Sequence, residues 1–350
     1  DFQEERSDFM HTSNNLFEFN SILEDEVMGK GLKKILVLAH INPDGDAVGS
    51  TMALAHYLQT LYPDIMVIPY LEQVEDCIRK VVDSDEVFKD VFIYPFYLLN
   101  HETEYAVICC DTATIDRVGG GKNLFDNAQV SIVIDHHLLN SGYADFNYLN
   151  TLEACAENVY QIIDWERLAQ VSADKQKLRY IADYIYLGTL HDTTRFTRID
   201  QLTLKMAGHL IEMGADHKKI EKTMHGMSFE DLHRQNELLN QVTLYSDKVA
   251  YLYLDLDKCN AGGYTYHDIH KIAEIVRDCS DIEVAFSLHQ MDKTRWKCSM
   301  RSSENFDSNE FLKKFQGGGH KGAAGFIVNT EKPDELLDSM LAELKNSINA

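Results

Sequence analysis

Short, near-continuous apolar runs separated by helical patterns constrain this chain most. They are KKILVLA (33–39), IMVIP (65–69), YAVICC (105–110) and SIVIDHH (131–137), with a helical pattern over 47–61 between the first two. A strand that is apolar on nearly every residue must be buried on both faces, which is the situation of a parallel sheet covered by helices. Ligands of such sheets bind at the carboxyl ends of the strands. Three of these ends carry Asp or His: His40 follows the first run, Asp111 the third, and Asp135-His136-His137 closes the fourth. Independent helix caps would not be expected to concentrate ligand residue types in this way.

The second half repeats the α/β theme with different elements. Residues 153–224 are mostly helical in pattern. SFEDLHRQNELLNQVTLYS (228–246) opens on Ser228 with Asp231 three residues later, the arrangement of a capping box, and reads as a connecting helix. KVAYLYLDL, a helix over 266–279, EVAFSLHQ, RWKCSMR and GFIV follow. The expected architecture is therefore α/β: an N-terminal extension (1–30), a parallel-sheet catalytic domain (31–226), a linker helix (227–246) and a smaller α/β domain (247–350). The active site is expected in the cleft between the two domains.

Composition narrows the partners. The net charge is −23, from 33 Lys and Arg against 56 Asp and Glu. Duplex DNA binding relies on many cationic contacts to phosphate and is disfavoured. A small nucleotide or very short RNA remains compatible if metal ions make one local positive pocket. The seven cysteines include no CxxC pair, which suits reduced thiols rather than a zinc site or disulfides. No apolar stretch approaches the ~18 residues of a membrane span, and the acidic first thirty residues lack a signal peptide's apolar core. We expect a cytoplasmic protein, without membrane contact, for which a homodimer is compatible. No Met opens the chain, so residues 1–30 read as an extra helix or as part of a tagged or trimmed start.

Five constellations carry candidate chemistry. In His40-Ile41-Asn42-Pro43-Asp44-Gly45-Asp46-Ala47-Val48-Gly49-Ser50, one imidazole and two carboxylates offer ligands suited to Mn²⁺. Gly49 and Ser50 would lie in the first helical turn, where backbone N–H groups favour anions. The alternative is a polar turn with Asp44 or Asp46 as a plain cap. Asp111-Thr112-Ala113 is either a ligand or an N-cap. In Asp135-His136-His137, followed by Asn140, consecutive side chains point to opposite faces if extended, so one His can bind metal while the other approaches substrate; the alternative is buried, hydrogen-bonded histidines. In the stretch 188–196, Asp192 is the candidate ligand, with His191 about 100° away around a helix; a solvated helix end is the alternative. Finally, Gln316-Gly317-Gly318-Gly319-His320-Lys321 is a glycine run that lets backbone approach phosphate, unless it is a flexible surface loop. Upstream, Arg301-Ser302 could supply a guanidinium fork, or Arg301 is an exposed residue with no role.

Taken together, the set resembles the DHH phosphoesterase superfamily. His40-x-Asn42-Pro43-Asp44-x-Asp46-x-x-Gly49-Ser50, Asp111-Thr112-Ala113, Asp135-His136-His137 and Asp192 match its four motifs in order, and Gly317-Gly318-Gly319-His320 matches the signature of its DHH-associated second domain. The likeness spans residues 32–346 and is nearest to the nanoRNase and 3′-phosphoadenosine 5′-phosphate phosphatase group. It implies two divalent cations, manganese in the first instance with magnesium or cobalt as substitutes. By that likeness His40, Asp44 and Asp111 hold one cation, and Asp46, Asp111, His136 and Asp192 hold the other. Asp111 and His137 are then catalytic, with Asp135 orienting its neighbours, and Arg301, Ser302, Gly318, Gly319 and His320 grip the substrate. A fourth glycine is usual where Gln316 stands, which leaves the loop geometry open. Rival readings are a cyclic di-AMP or linear-dinucleotide phosphodiesterase, and a nucleotide-binding module that no longer catalyses.

Overall fold

The computed structural model describes residues 11–13, 18–88, 104–172, 174–226 and 228–348. The chain divides at Gly226 into two compact units.

Among the described residues the first unit has six strands: β1 (His11–Ser13), β2 (Lys34–Leu38), β3 (Met66–Tyr70), β4 (Ala106–Cys110), β5 (Val130–Asp135) and β6 (Phe146–Leu149). Their order is β1-β6-β5-β4-β2-β3, and every neighbouring pair is parallel. Side chains alternate between two apolar layers. Ile35, Val37, Ile108, Cys110, Ile132 and Ile134 face one core, while Leu36, Leu38, Val107, Cys109 and Val133 face the other. This is why the strands read as unbroken apolar runs. The chain leaves β2 for β3 at one edge and then returns to β4 on the opposite flank, so the order reverses between β2 and β4, where ligands of open α/β sheets bind.

Among the described residues the α-helices of this unit are α1 (Glu18–Ile22, continuing as a π-helical turn over Leu23–Met28), α2 (Gly45–Leu61), α3 (Asp76–Val82), α4 (Lys122–Asp126, preceded by a 3-10 helix over Ile115–Gly121), α5 (Cys155–Ile162), α6 (Trp165–Val171), α7 (Lys175–Asp192), α8 (Gln201–Glu212) and α9 (His217–His225). Part of the acidic excess is local chemistry: Asp164, Asp174, Asp200 and Asp216 each cap a helix by accepting a backbone N–H of its first turn.

The second unit holds α10 (Phe229–Leu239), β7 (Thr243–Ser246), β8 (Val249–Leu254), α11 (Leu256–Gly262), α12 (Tyr266–Arg277), β9 (Val284–Gln290), β10 (Arg295–Ser302), α13 (Ser308–Lys313), β11 (Gly318–His320), β12 (Ala323–Asn329) and α14 (Pro333–Ile348). Its sheet runs β11-β12-β10-β9-β8-β7 and is antiparallel except for the β8–β9 pair, whose connection carries α11 and α12. Residues of α13 and α14 pack on one face through Phe311, Leu312, Met340 and Leu344. Residues of α12 pack on the other through Ile269 and Ile272.

Three expectations need correction. Residues 18–28, set apart as an extension, belong to the first core: Phe19, Leu23 and Val27 are fully buried there. The connecting helix expected to Ser246 ends at Leu239. Its capping box forms, with Ser228 and Asp231 serving each other, but Thr243–Ser246 turns back to pair with β8 as an edge strand. The glycine run is not a loop throughout, since Gly318–His320 pairs with Ala323–Gly325.

Candidate metal centre

The parallel register brings the ends of β2, β4 and β5 side by side: Leu38 lies opposite Cys109, and Cys110 opposite Ile134. The next residues along each strand are therefore neighbours in space. Two steps beyond β2, His40 contacts its own chain through Nδ1, 2.8 Å from the Ile41 carbonyl oxygen. A carbonyl only accepts, so Nδ1 carries the proton. Nε2 faces the Asp111 carboxylate, 3.7 Å from Oδ2.

Asp44 and Asp46 enter at the start of α2. Asp44 is its N-cap, with Oδ1 accepting from Asp46 N (3.0 Å) and Ala47 N (3.1 Å). Asp46 is fully buried against another helix start. Its Oδ2 accepts from Cys155 N (2.6 Å) and its Oδ1 from Ala156 N (2.9 Å), the first amides of α5. Helix N-termini stabilise a carboxylate in this position. Gly49 and Ser50 do not offer the expected anion site. Ser50 donates back to Asp46 O (2.7 Å), and Gly49 faces α7, where a Cβ would lie 2.5 Å from Tyr184 O and 2.7 Å from Gly188 N. Gly188 is as tightly placed, 2.6 Å from Ala156 Cβ and 2.8 Å from Asp46 Oδ1 by the same construction. The two glycines let α2 and α7 cross closely, and that crossing delivers the last residue of α7, Asp192.

Asp111 sits in the left-handed region (φ 52°), which Asp tolerates better than most residues. Its amide donates to Ile134 O (3.0 Å), and its Oδ1 is buried with no hydrogen-bond partner. His136 closes the group. Nδ1 donates to Leu152 O (3.1 Å), so Nε2 is presented to Asp111 Oδ1 (3.3 Å), Asp192 Oδ2 (3.5 Å) and Asp46 Oδ2 (3.8 Å). Both His40 and His136 thus have one ring nitrogen held by a backbone carbonyl, the arrangement that orients metal-ligating imidazoles.

Electrostatics carries the same message. Burial, followed by the Asp111 and Asp192 charges, pushes the Asp46 carboxyl well above the usual range. Burial likewise raises Asp111, assisted by Asp44 and only partly countered by His136. Burial lowers His136, yet the surrounding carboxylates, Asp111 first, outweigh it and lift the imidazole to about 10, so that without a cation a proton on Nε2 stands where the cation would face these oxygens. Such a pocket is costly to fold without a compensating cation. Four overlapping triplets have candidate ligand atoms all within 4.8 Å of one another: Asp111-His136-His137, His40-Asp44-Asp111, Asp44-His191-Asp192 and Asp46-His136-Asp192. Ligand atoms of one octahedral cation with bonds near 2.1 Å stand roughly 3 Å apart, so the observed spacings suit contraction around bound ions. The donor set and the orphaned Asp111 oxygen fit divalent cations.

The structure therefore brings together His40, Asp44, Asp46, Asp111, His136 and Asp192. Asp135 stands behind them. Its Oδ1 accepts from His137 Nδ1 (2.8 Å) and its Oδ2 from Asn140 Nδ2 (2.7 Å), leaving His137 Nε2 outward. His191 is the member that sequence reasoning set aside. Its ring lies against Gly45 and 3.2 Å from Asp192 Oδ1, a meeting of distant segments that no local sequence signal announced.

Residues of the second unit have their own partners. Arg301 Nη2 contacts His270 Nε2 (2.8 Å) and Glu274 Oε1 (3.1 Å). Ser302 is buried, donating to Phe306 O (2.9 Å) and accepting from Ser308 Oγ (2.8 Å). Gly318, Gly319 and His320 are exposed, and Gly319 (φ 151°) donates its amide to Asn309 Oδ1 (3.0 Å).

Residues 34–189 match the DHH family, N-terminal domain, and residues 246–348 match the DHHA1 domain. The chain is a DHH-family protein with a DHHA1 domain. It is 24% identical over 308 residues to the bifunctional oligoribonuclease and PAP phosphatase NrnA of Bacillus subtilis, covering 87% of this chain and 92% of that protein. It is 21% identical over 317 residues to the cyclic-di-AMP phosphodiesterase GdpP of the same organism, covering 87% of this chain and 46% of that protein. Among solved structures, an exopolyphosphatase-related protein from Bacteroides fragilis shares the fold, with a TM-score of 0.76, 20% identity, and 96% and 97% of the two chains covered. DHH-family members are phosphoesterases, which places this DHH-family chain among the hydrolases at that general level.

Proposed function

We propose that this DHH-family chain hydrolyses short oligoribonucleotides, 3′-phosphoadenosine 5′-phosphate, or both, using two divalent cations, manganese in the first instance. The observation that carries the reading is the buried Asp111 carboxylate, which has an unpartnered oxygen and stands between the His40-Asp44 and His136 groups. One cation would be held by His40, Asp44 and Asp111, the other by Asp46, Asp111, His136 and Asp192. When bound, such ions supply a water acidic enough to lose its proton near neutral pH and positive charge at the attacking and leaving oxygens. The chain's own residues do the rest. Asp111 faces both ligand groups, Asp46 is kept in place by the α5 amides, and His137 turns Nε2 toward the phosphoryl group with Asp135 behind it. Burial of the carboxylates excludes bulk water from their inner side. Arg301, Gly318, Gly319 and His320 are proposed substrate contacts of the DHHA1 unit, with Arg301 exchanging Glu274 for phosphate and the buried Ser302 hydroxyl bracing Phe306 and Ser308 instead of meeting substrate.

A second reading, hydrolysis of cyclic di-AMP or a linear dinucleotide, is favoured by the likeness to a protein named as a cyclic-di-AMP phosphodiesterase. Phosphate or nucleotide release with Mn²⁺ is to be measured on 3′-phosphoadenosine 5′-phosphate, a diribonucleotide and cyclic di-AMP, for the wild type and Asp111→Asn. Asn accepts left-handed backbone as Asp does, so the variant is expected to fold and to lose turnover. Full turnover by Asp111→Asn, or none by the wild type on any of the three, would sink the proposal.

A further inference from the structure

Immediately after the residues that face the carboxylate cluster, the chain exposes two leucines. Among the described residues, Leu138 and Leu139 are the two most exposed large apolar side chains, at 84% and 91%. Their exposure does not come from a loose loop. Residues 137–140 form a turn closed by Asn140 N donating to His137 O at 3.1 Å. The Asn140 side chain pins the turn from within, donating to Asp135 Oδ2 (2.7 Å) and Thr112 O (3.2 Å) and accepting from Gly142 N (2.9 Å). Tyr143 adds a hydroxyl bond to the same Thr112 carbonyl (2.9 Å). Both leucines occupy the central positions of a turn anchored to the residues that carry His137.

The turn starts at the cluster. His137 Nδ1 lies 3.6 Å from Asp111 Oδ1 and 2.8 Å from Asp135 Oδ1. Successive Cα atoms are about 3.8 Å apart, so the leucines begin within roughly 4–8 Å of the His137 backbone. A phosphoester whose phosphoryl group meets the cluster would bring its organic part to this distance. We propose that Leu138 and Leu139 form a rigid apolar ledge carrying the nucleobase of a nucleotide substrate. The inference rests on the phosphoesterase reading and adds the place where the base of its substrate is held. Inorganic phosphate chains have no apolar body to place there, whereas a base has a flat face of about the size of two leucine side chains. The net charge of −23 makes the contact useful, because a small anion gains little from the protein's overall field and must find affinity elsewhere.

Binding, rather than turnover, is the test. Isothermal titration of the Mn²⁺-loaded full chain compares adenosine 5′-monophosphate with ribose 5-phosphate, for the wild type and for the Leu138→Ser/Leu139→Ser double variant. Both side chains stand in solvent, so the variant is expected to retain its fold and its Mn²⁺ affinity. The wild type should bind the nucleotide about tenfold more tightly than the sugar phosphate, and the variant should lose that preference by weakening only the nucleotide. A variant that keeps the preference overturns the ledge, as does a wild type with none. So does a variant whose sedimentation shows a dimer falling apart while nucleotide affinity stays the same, which would assign the leucines to a second copy. A wild type that binds the nucleotide preferentially through these leucines yet hydrolyses none of the panel would remove the phosphoesterase reading and leave the ledge standing.

Discussion

Gly49→Ala separates what the sequence favours from what the structure requires. In a helix interior Ala is preferred over Gly by roughly 0.5–1 kcal/mol, so propensity alone forecasts a more stable protein. The crossing of α2 and α7 forecasts the opposite. A Cβ on Gly49 would lie 2.5 Å from Tyr184 O, where ordinary contact begins at 3.4 Å, so the α7 backbone must retreat by 3.4 − 2.5 = 0.9 Å. The obstructing atoms are backbone and have no rotamer with which to escape. Overpacking of this kind costs about 1–3 kcal/mol, and unyielding backbone puts this site at about 2–3, which leaves a net loss of about 1–2.5 kcal/mol after the propensity gain. For a unit of this size the thermal midpoint should fall by roughly 2–10 °C. Because α7 ends on Asp192, the same shift loosens the carboxylate cluster, and Mn²⁺ affinity should fall about tenfold or more.

Gly208 supplies the control. It is exposed in α8, and a Cβ there meets nothing within 4 Å. Gly208→Ala should raise the midpoint by roughly 1–4 °C, the propensity term alone. Calorimetry of both full-length variants, with Mn²⁺ titrations, makes the comparison. A Gly49→Ala protein as stable as the wild type, or more so, would falsify the packing account of this crossing.

Other outcomes follow from the same geometry. Asp135→Asn should lower kcat about 10–100-fold while leaving Mn²⁺ affinity unchanged, since Asp135 holds His137 and Asn140 rather than the cluster; equal losses in metal titration would place Asp135 among the ligands. Chelation should lower the melting midpoint of the first unit, and Mn²⁺ at about 100 times its Kd should restore about 2.7 kcal/mol; insensitivity to chelator would contradict a cation requirement of the carboxylate pocket. Asp85 is buried and accepts from His56 Nε2 (2.6 Å), Tyr184 OH (2.9 Å), Val87 N (2.9 Å) and Phe88 N (3.1 Å). Burial would raise its carboxyl, but the His56 ring and these amides outweigh it and hold it below the usual value. Its contribution is therefore complete above the ordinary carboxylate pKa of about 4 and disappears as pH falls through the lower folded value. Asp85→Asn should cost about 1–3 kcal/mol at neutral pH and flatten the acid limb of denaturation titrations; an unchanged limb would refute the assignment.

Legibility followed from how local each signal was. Strands β2, β4 and β5 were readable because burial on both faces writes apolar residues at every position, and the ligands they carry follow within one or two residues. Asp192 was readable as a residue, but its delivery was not, because the crossing depends on Gly49 and Gly188 meeting from distant parts of the chain. The N-terminal helix was obscured by its charge. Phe19, Leu23 and Val27 recur every four residues among Glu18, Glu24, Asp25 and Glu26, and the buried stripe is narrow. Strand β6 was invisible because its FNYL includes a polar inward residue, Asn147, whose side chain accepts from Tyr143 N (2.9 Å) and Ala144 N (3.0 Å) to shape the preceding turn. Gly318–His320 lacks any β-branched or aromatic residue and becomes a strand only through its partner β12.

The choice posed by the first motif, helix cap or metal ligand, dissolves in the structure. A carboxylate has about four lone-pair sites, and backbone amides need only some of them. Asp44 uses Oδ1 on the first turn of its own helix and still presents a carboxylate oxygen within 4.8 Å of ligand atoms of His40 and Asp111. Asp46 receives two amides of α5 while remaining within reach of His136 and Asp192. The amides aim both side chains before any cation arrives; for Asp44 the ionised form is already favoured, while for Asp46 the helix end only offsets part of the burial and neighbouring charge that a cation would have to balance. Removing either helix start would thus disturb ligand geometry and ligand charge together, which is why a capping motif and a ligand motif can occupy the same seven residues.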